Sequence, residues 1–173
     1  MTSKQLPPVS LLKTARLTLR QLKSSDDKEI FALRSNRNVN KYLNRKPSDS
    51  MDDARHFITS IQENIQNANS LYWAITIIET DKLIGTICLY NFSGDYSKVE
   101  IGFELLPDLQ GKGLMKEAIA EVLHFAFRYV GVNSIEAYTH PDNVRSISLL
   151  EKLNFKRHRV DDETFTIFRL TAR

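Results

Sequence analysis

The run from Glu100 to Met115, EIGFELLPDLQGKGLM, concentrates residue types that can do chemistry. Residues 98–105 (KVEIGFEL) alternate as a strand does, which puts Glu100, Gly102 and Glu104 on one face and Val99, Ile101, Phe103 and Leu105 on the other. Two carboxylates on one face are material for a general base; the plain alternative is that one or both pair with a neighbouring Arg or Lys. Just downstream, Gly111 and Gly113 flank Lys112 ahead of a long helical pattern. A glycine turn feeding a helix leaves backbone N–H groups unpaired, and the helix dipole together with Lys112 and Lys116 favours an anion such as a diphosphate. A dinucleotide fingerprint wants a third glycine where Lys116 stands and an acid where the next strand ends in Thr139-His140. A P-loop wants Gly-Lys-Ser/Thr, which is absent, and the plain reading is a glycine turn that only starts a helix.

These residues need elements to position them. Residues 17–21 (LTLRQ) alternate as a first strand, with Arg16 and Arg20 opposite Leu17 and Leu19. Ser24 to Asp27 offer caps for a helix carrying Ile30, Phe31, Leu33 and Arg34, which 36–40 breaks. Ser50-Met-Asp-Asp53 resembles a capping box, opening a helix with Phe57, Ile58, Ile61 and Ile65 that runs to about Gln66. Strands follow at 72–78 and 83–90, joined by hairpin chemistry at 79–82. A helix over 113–130 sets a polar stripe of Glu117, Glu121, His124 and Arg128 against a core face of Ala118, Val122, Leu123, Ala126 and Phe127. A strand at 134–139, a helix from Asn143 through Leu153 and strands at 155–160 and 164–170 close the chain. The order predicts an α/β (α+β) domain whose sheet is mostly antiparallel, with one strand-helix-strand crossover.

The chain's 173 residues make one domain, 1–173, large enough to bury ~70% of its unfolded surface. Hydrophobic residues at 42% and charged residues at 26% exclude collagenous and disordered classes. One cysteine allows neither an intrachain disulfide nor a multi-cysteine zinc site, which suits a reducing, cytoplasmic setting. The opening MTSKQLPPVSLLK lacks the apolar stretch of a signal peptide, and no long apolar run predicts a membrane span. A net charge of +3 with dispersed basic residues suits a small anionic ligand better than nucleic acid. Glu121 and His124 have metal-ligand spacing but no third ligand, so no metal is expected.

Gln110-Gly-Lys-Gly113-Leu-Met115 resembles the Q/R-x-x-G-x-G/A motif of the GNAT superfamily of acetyl-CoA-dependent N-acyltransferases. The strand from Glu100, the Ala118 helix, the strand to Thr139, and Asn143-Val-Arg-Ser146 leading to Glu151-Lys-Leu-Asn-Phe155 follow in GNAT order, so that the resemblance spans residues 17–170. Within the superfamily, LTLRQLKSSD and the pairing of the glycine loop with Asn143 and Ser146 look most like the ribosomal-protein alanine N-acetyltransferases. Met115 replaces the small residue of the general motif, and Leu150 stands where several GNAT enzymes carry a tyrosine general acid. The resemblance implies a sheet splayed at the cofactor site with helices on both faces.

It also implies roles. The pyrophosphate of acetyl-CoA would lie on the backbone of Gln110, Gly111, Lys112, Gly113, Leu114 and Met115, and the pantetheine arm beside Leu105 and Leu106, where Pro107 stops strand pairing. Asn143 would hold the arm, its plain reading being an N-cap. Glu100 and Glu104 are the base candidates, and Ser146 would protonate the thiolate unless it is an ordinary first-turn serine. His140 is a lesser relay candidate, and Cys88, inside the apolar TICLY, reads as a buried small hydrophobe. The acceptor groove falls to residues 36–55 and the hairpin 161–163, where Arg37, Lys41, Arg45, Lys46 and Arg55 stand beside Asp49, Asp52 and Asp53. The implied partners are acetyl-CoA and an amine, with no nucleic acid or membrane, in a monomer or homodimer. The leading function is acetylation of a protein N-terminal α-amine; small-amine acetylation and a non-catalytic acyl-CoA-binding module are the alternatives.

Overall fold

The computed structural model describes residues 6–161 and 164–173. The elements are β1 (Leu12–Lys13), β2 (Leu17–Arg20), α1 (Asp27–Ser35), α2 (Arg37–Asn40), α3 (Met51–Gln66), β3 (Leu71–Ile77), β4 (Leu83–Tyr90), β5 (Lys98–Leu105), α4 (Leu114–Phe125), β6 (Ser134–Thr139), α5 (Val144–Lys152), β7 (Lys156–Asp161) and β8 (Phe165–Thr171). They build one eight-stranded sheet in the order β1-β2-β3-β4-β5-β6-β8-β7. Every pairing is antiparallel except β5 with β6, the pair that the α4 crossover joins.

Helices cover both faces. On one, Ala118, Ile119 and Val122 of α4 and Leu150 of α5 pack on Leu17, Trp73, Ile87 and Ile101. On the other, Ile30 of α1 and Ala54, Ile58 and Ile61 of α3 pack on Tyr72, Ala74 and Leu83. The amphipathic period of α3 needs a firm start, and Ser50 provides it: its Oγ accepts the Asp53 N–H at 3.2 Å while the Asp53 carboxylate accepts the Ser50 N–H at 3.2 Å.

Three local features depart from the sequence reading. β1 is an added short edge strand. The break at 36–40 is real, but Asn36 also restarts the chain as α2, its side-chain oxygen accepting the N–H groups of Asn38 and Val39 at 2.9 and 3.1 Å. The helix over 113–130 is α-helical only to Phe125, and its last turn widens to a π turn over Ala126–Val130. Gly131, left-handed at φ 76°, ends that turn by donating its N–H to the Ala126 carbonyl at 2.9 Å.

Arg20, placed by alternation opposite Leu17 and Leu19, is a buried charge. Its Nη1 and Nη2 donate to the two carboxylate oxygens of Asp26 at 2.9 and 2.8 Å, and its Nε to Asp81 at 2.6 Å. Removing one member of such a pair leaves the other uncompensated, so R20M is expected to lose about 3 kcal/mol of stability and R20M/D26N to recover part of it, read by urea unfolding. Equal losses in the single and double variants would contradict a coupled pair.

Candidate active site

The site begins where the parallel pair comes apart. β5 stays paired with β4 as far as Gly85↔Leu105, whereas its pairing with β6 covers only Lys98↔Ser134, Val99↔Ile135 and Glu100↔Glu136. Beyond Glu100 the two strands diverge into a wedge, and Leu106 donates its N–H to Ile84 on β4 at 3.0 Å. Pro107, which has no N–H, opens a short 3-10 turn through Leu109. The Gln110 side chain then closes the loop: its Nε2 donates to the Leu105 carbonyl and its Oε1 accepts from Arg145 of α5, both at 2.9 Å. Sequence reasoning assigned Gln110 a backbone role and did not foresee this staple across the mouth of the wedge.

Gly111 and Gly113 both adopt left-handed φ, 76° and 77°, a conformation that favours glycine. A Cβ on Gly111 would meet open space, and one on Gly113 would come 3.4 Å from Arg16 Nη2. Arg16 anchors the turn from outside, donating from Nη1 to the Lys112 carbonyl at 3.0 Å and from Nε to Glu117 at 2.7 Å. Glu117 also accepts from Thr14 and from the Arg16 N–H. Its burial, which would raise its pKa, is outweighed by these hydrogen bonds, and its carboxyl is held below the ordinary value. The first intrahelical bond of α4 is Glu117 N–H to the Gly113 carbonyl at 3.1 Å. The N–H groups of Leu114, Met115 and Lys116 precede it, at the positive end of the helix. An open glycine turn, unpaired N–H groups and a wedge between strands fit a diphosphate with an extended arm, and acetyl-CoA has that shape.

The two carboxylates share a face but not an environment. Glu100 is half-buried, and burial pushes its carboxyl above the ordinary range, with the nearby Glu136 charge adding to the rise and hydrogen bonds from Asn91 and Tyr90 opposing it. Glu104 follows the plain reading in part, because Arg45 Nη1 lies 2.7 Å from its Oε2. Between them sits Cys88, its Sγ at 3.3 Å from where a Gly102 Cβ would stand. Burial and the Glu104 charge push the Cys88 thiol up to about 12, so it stays protonated and is a poor nucleophile.

At the far side of the wedge, Asn143 caps α5, its side-chain oxygen accepting the Ser146 N–H at 3.2 Å. That cap uses the side-chain oxygen of Asn143 and not its amide nitrogen. Ser146 lies in the first turn of α5, and Leu150 is fully buried core with no polar group to offer. His140 stacks on Tyr42 at 5.4 Å, and its Nδ1 accepts the Asp142 N–H at 3.1 Å. Sequence reasoning did not single out Thr139, the last residue of β6, whose Oγ1 is buried without a hydrogen-bond partner among the described residues. Nor did it single out Arg34 for the site; its guanidinium lies 3.7 Å over the Phe57 ring. No periodicity could have marked either residue, because each is defined by neighbours distant in sequence.

Of the acceptor groove, Arg45 reaches the site through Glu104, while Arg55 turns away to Asp27 and Asp52 at 2.9 and 3.2 Å. In the closing hairpin 161–163, residues 162 and 163 lie outside the described residues. Among the described residues, no three His, Cys, Asp or Glu side chains group as metal ligands, and no helix is long and apolar enough to cross a membrane.

This geometry has relatives. The chain is 32% identical over 150 residues to the uncharacterized N-acetyltransferase YoaA of Bacillus subtilis, covering 87% of this chain and 85% of that one. It is 25% identical over 143 residues to the spermidine N(1)-acetyltransferase of Vibrio cholerae, covering 82% and 79%. The structure of a ribosomal-protein-S5-alanine acetyltransferase from Vibrio fischeri superposes with a TM-score of 0.78 at 19% identity, covering 94% and 96%. Residues 16–156 match the family described as the acetyltransferase (GNAT) domain. The glycine turn, the splayed parallel pair and this match over most of its length together make the chain a member of the GNAT N-acetyltransferases.

Proposed function

We propose that this acetyltransferase acts on the α-amine of a protein or peptide N-terminus, by direct attack within a complex of enzyme, acetyl-CoA and acceptor. The observation that supports the reading is that Glu100 and Glu104 lie on one face of β5, the strand that parts from β6 after Glu100, with the Cys88 thiol between them pushed up and so a poor nucleophile for an acyl-enzyme. Acetyl-CoA supplies the activated acetyl thioester. The backbone of residues 110–115 would hold its diphosphate, and Leu105, Leu106 and the Asn143 amide its arm. Glu100, directly or through a water, accepts the proton of the attacking amine as the N–C bond forms and later releases it to solvent, and as the C–S bond breaks the Ser146 hydroxyl gives its proton to the leaving thiolate while taking one from solvent.

The base requirement favours a weakly basic amine. An α-amine of pKa ~8 is ~10% neutral at pH 7, whereas a lysine near 10.4 is under ~0.1% neutral. A water-relayed carboxylate suffices for the first. A small-molecule amine is the second reading, favoured by the spermidine-acetylating relative. Calorimetric titration with acetyl-CoA, followed by free-thiol release on adding an N-terminal alanine peptide or small amines, tests both. Binding with peptide-dependent release is expected; faster release with small amines would select the second reading, and binding without release would favour a non-catalytic module.

A further inference from the structure

Arg45 pairs with Glu104, and Arg34 lies near enough to feel the charge of both. Arg34 lies in the last turn of α1, and α2 with the loop after it folds back onto it, Asn40 Nδ2 at the end of α2 and the Ser48 N–H of the loop donating to the Arg34 carbonyl at 2.7 and 3.2 Å. That fold-back brings in Arg45, whose Nε donates to Asn40 at 2.7 Å while Nη1 pairs with Glu104. The guanidinium of Arg34 is pushed below its ordinary pKa first by burial and then by the Arg45 charge, with Glu104 opposing. Guanidinium groups stay charged regardless, so two cations face one anion. Tyr72 and Cys88, the ionisable neighbours on the strands beneath, are both pushed up by burial and by Glu104 and remain neutral. Two donors of this cluster, Arg34 Nε and Arg45 Nη2, are buried with no acceptor among the described residues. Orphaned cationic donors are costly, and a carboxylate is the group whose geometry and charge would satisfy them.

We propose that the acceptor carries a carboxylate beside its reactive amine, and that Arg34 and Arg45 are the specificity residues that hold it. Glu104 then faces the amine end, one residue before the Leu105–Leu106 wedge. This rests on the acetyl-transfer reading above and narrows its acceptor. The carboxylate can be the α-carboxylate of a free amino acid or an acidic side chain at the start of a peptide. Both present the same group to the two arginines. A polyamine presents the opposite charge and is repelled.

The test uses the whole enzyme with acetyl-CoA and follows thiol release, with rates expressed per neutral amine. Alanine is compared with alaninamide, a peptide beginning Asp-Ala with one beginning Asn-Ala, and spermidine is run alongside. At least one carboxylate is expected to exceed its amide about tenfold to a hundredfold in kcat/KM, mainly through KM. The first pair identifies a free amino acid as the source, the second a peptide. In R34Q the ratio is expected to fall towards one, and R34K to retain part of it. Amides as good as carboxylates in both pairs, spermidine as the best acceptor, or a preference that survives in both R34Q and R45Q would each overturn the proposal. The wild-type ratios decide it even where a variant fails to fold. Acetyl-CoA binding with no release from any amine would instead overturn the transfer reading beneath it.

Discussion

Gly113→Val is expected to weaken acetyl-CoA binding about tenfold to a hundredfold in a protein that still folds. The reason is conformational. At φ 77° a β-branched residue costs about 1–2 kcal/mol, and the loop can relieve that only by rotating away from its left-handed turn. Such rotation re-aims the N–H groups of Leu114 and Met115 and pulls Lys112 off its hydrogen bond with Arg16. The Cβ direction matters too, since it leads towards Arg16 Nη2 at 3.4 Å and forces that anchor to shift. Gly111→Ala separates the two effects: its Cβ meets open space, so only the φ penalty remains and a smaller loss is expected. Calorimetry on both variants checks this, and unchanged affinity in folded Gly113→Val would remove the glycine turn from the binding site.

The second large effect is at Glu100. If its carboxylate takes the amine's proton, Glu100→Gln lowers kcat about a hundredfold or more. The pH profile carries the sharper signal. Burial holds the Glu100 pKa above the ordinary glutamate value, so the acid limb of the wild-type rate lies above that value and vanishes in the glutamine variant. The stability sign runs the other way from a salt-bridged carboxylate. A raised folded-state pKa means the folded protein binds the proton more tightly than the unfolded chain, so stability is lost as pH rises from the ordinary glutamate value through the raised one. The glutamine variant escapes that loss, and at neutral pH it is expected to unfold at the same or higher urea concentration than wild type. Lost activity with retained stability therefore assigns a chemical role, whereas an unaltered pH profile would move the base to Glu104 or to solvent.

The parts of this protein that were legible in the sequence are those whose physics is local. Alternation placed β5 and hairpin chemistry placed β4 to the residue, and the pair Gly111 and Gly113 marked a turn because left-handed φ is a single-residue property. Ser50 and Asp53 announced the start of α3 because a cap and its partner are three residues apart. Cys88, which its apolar run marks as buried, packs against the cluster around Tyr72 but stays partly exposed.

Charge partners were not legible, because they depend on strand order. Glu117, which a helical wheel assigns to solvent, meets Arg16 because β2 and α4 are brought together from 101 residues apart. Glu104 could be listed as a base from its strand face, but its pairing with Arg45 exists only because the loop after α2 folds back on α1. Even the wedge is a property of assembly: nothing in either strand's composition says that β5 and β6 part after Glu100↔Glu136. Local sequence sets which backbone shapes are affordable at each position, while the pairing of distant charges and the opening of the sheet are set by packing against elements that a linear pattern cannot see.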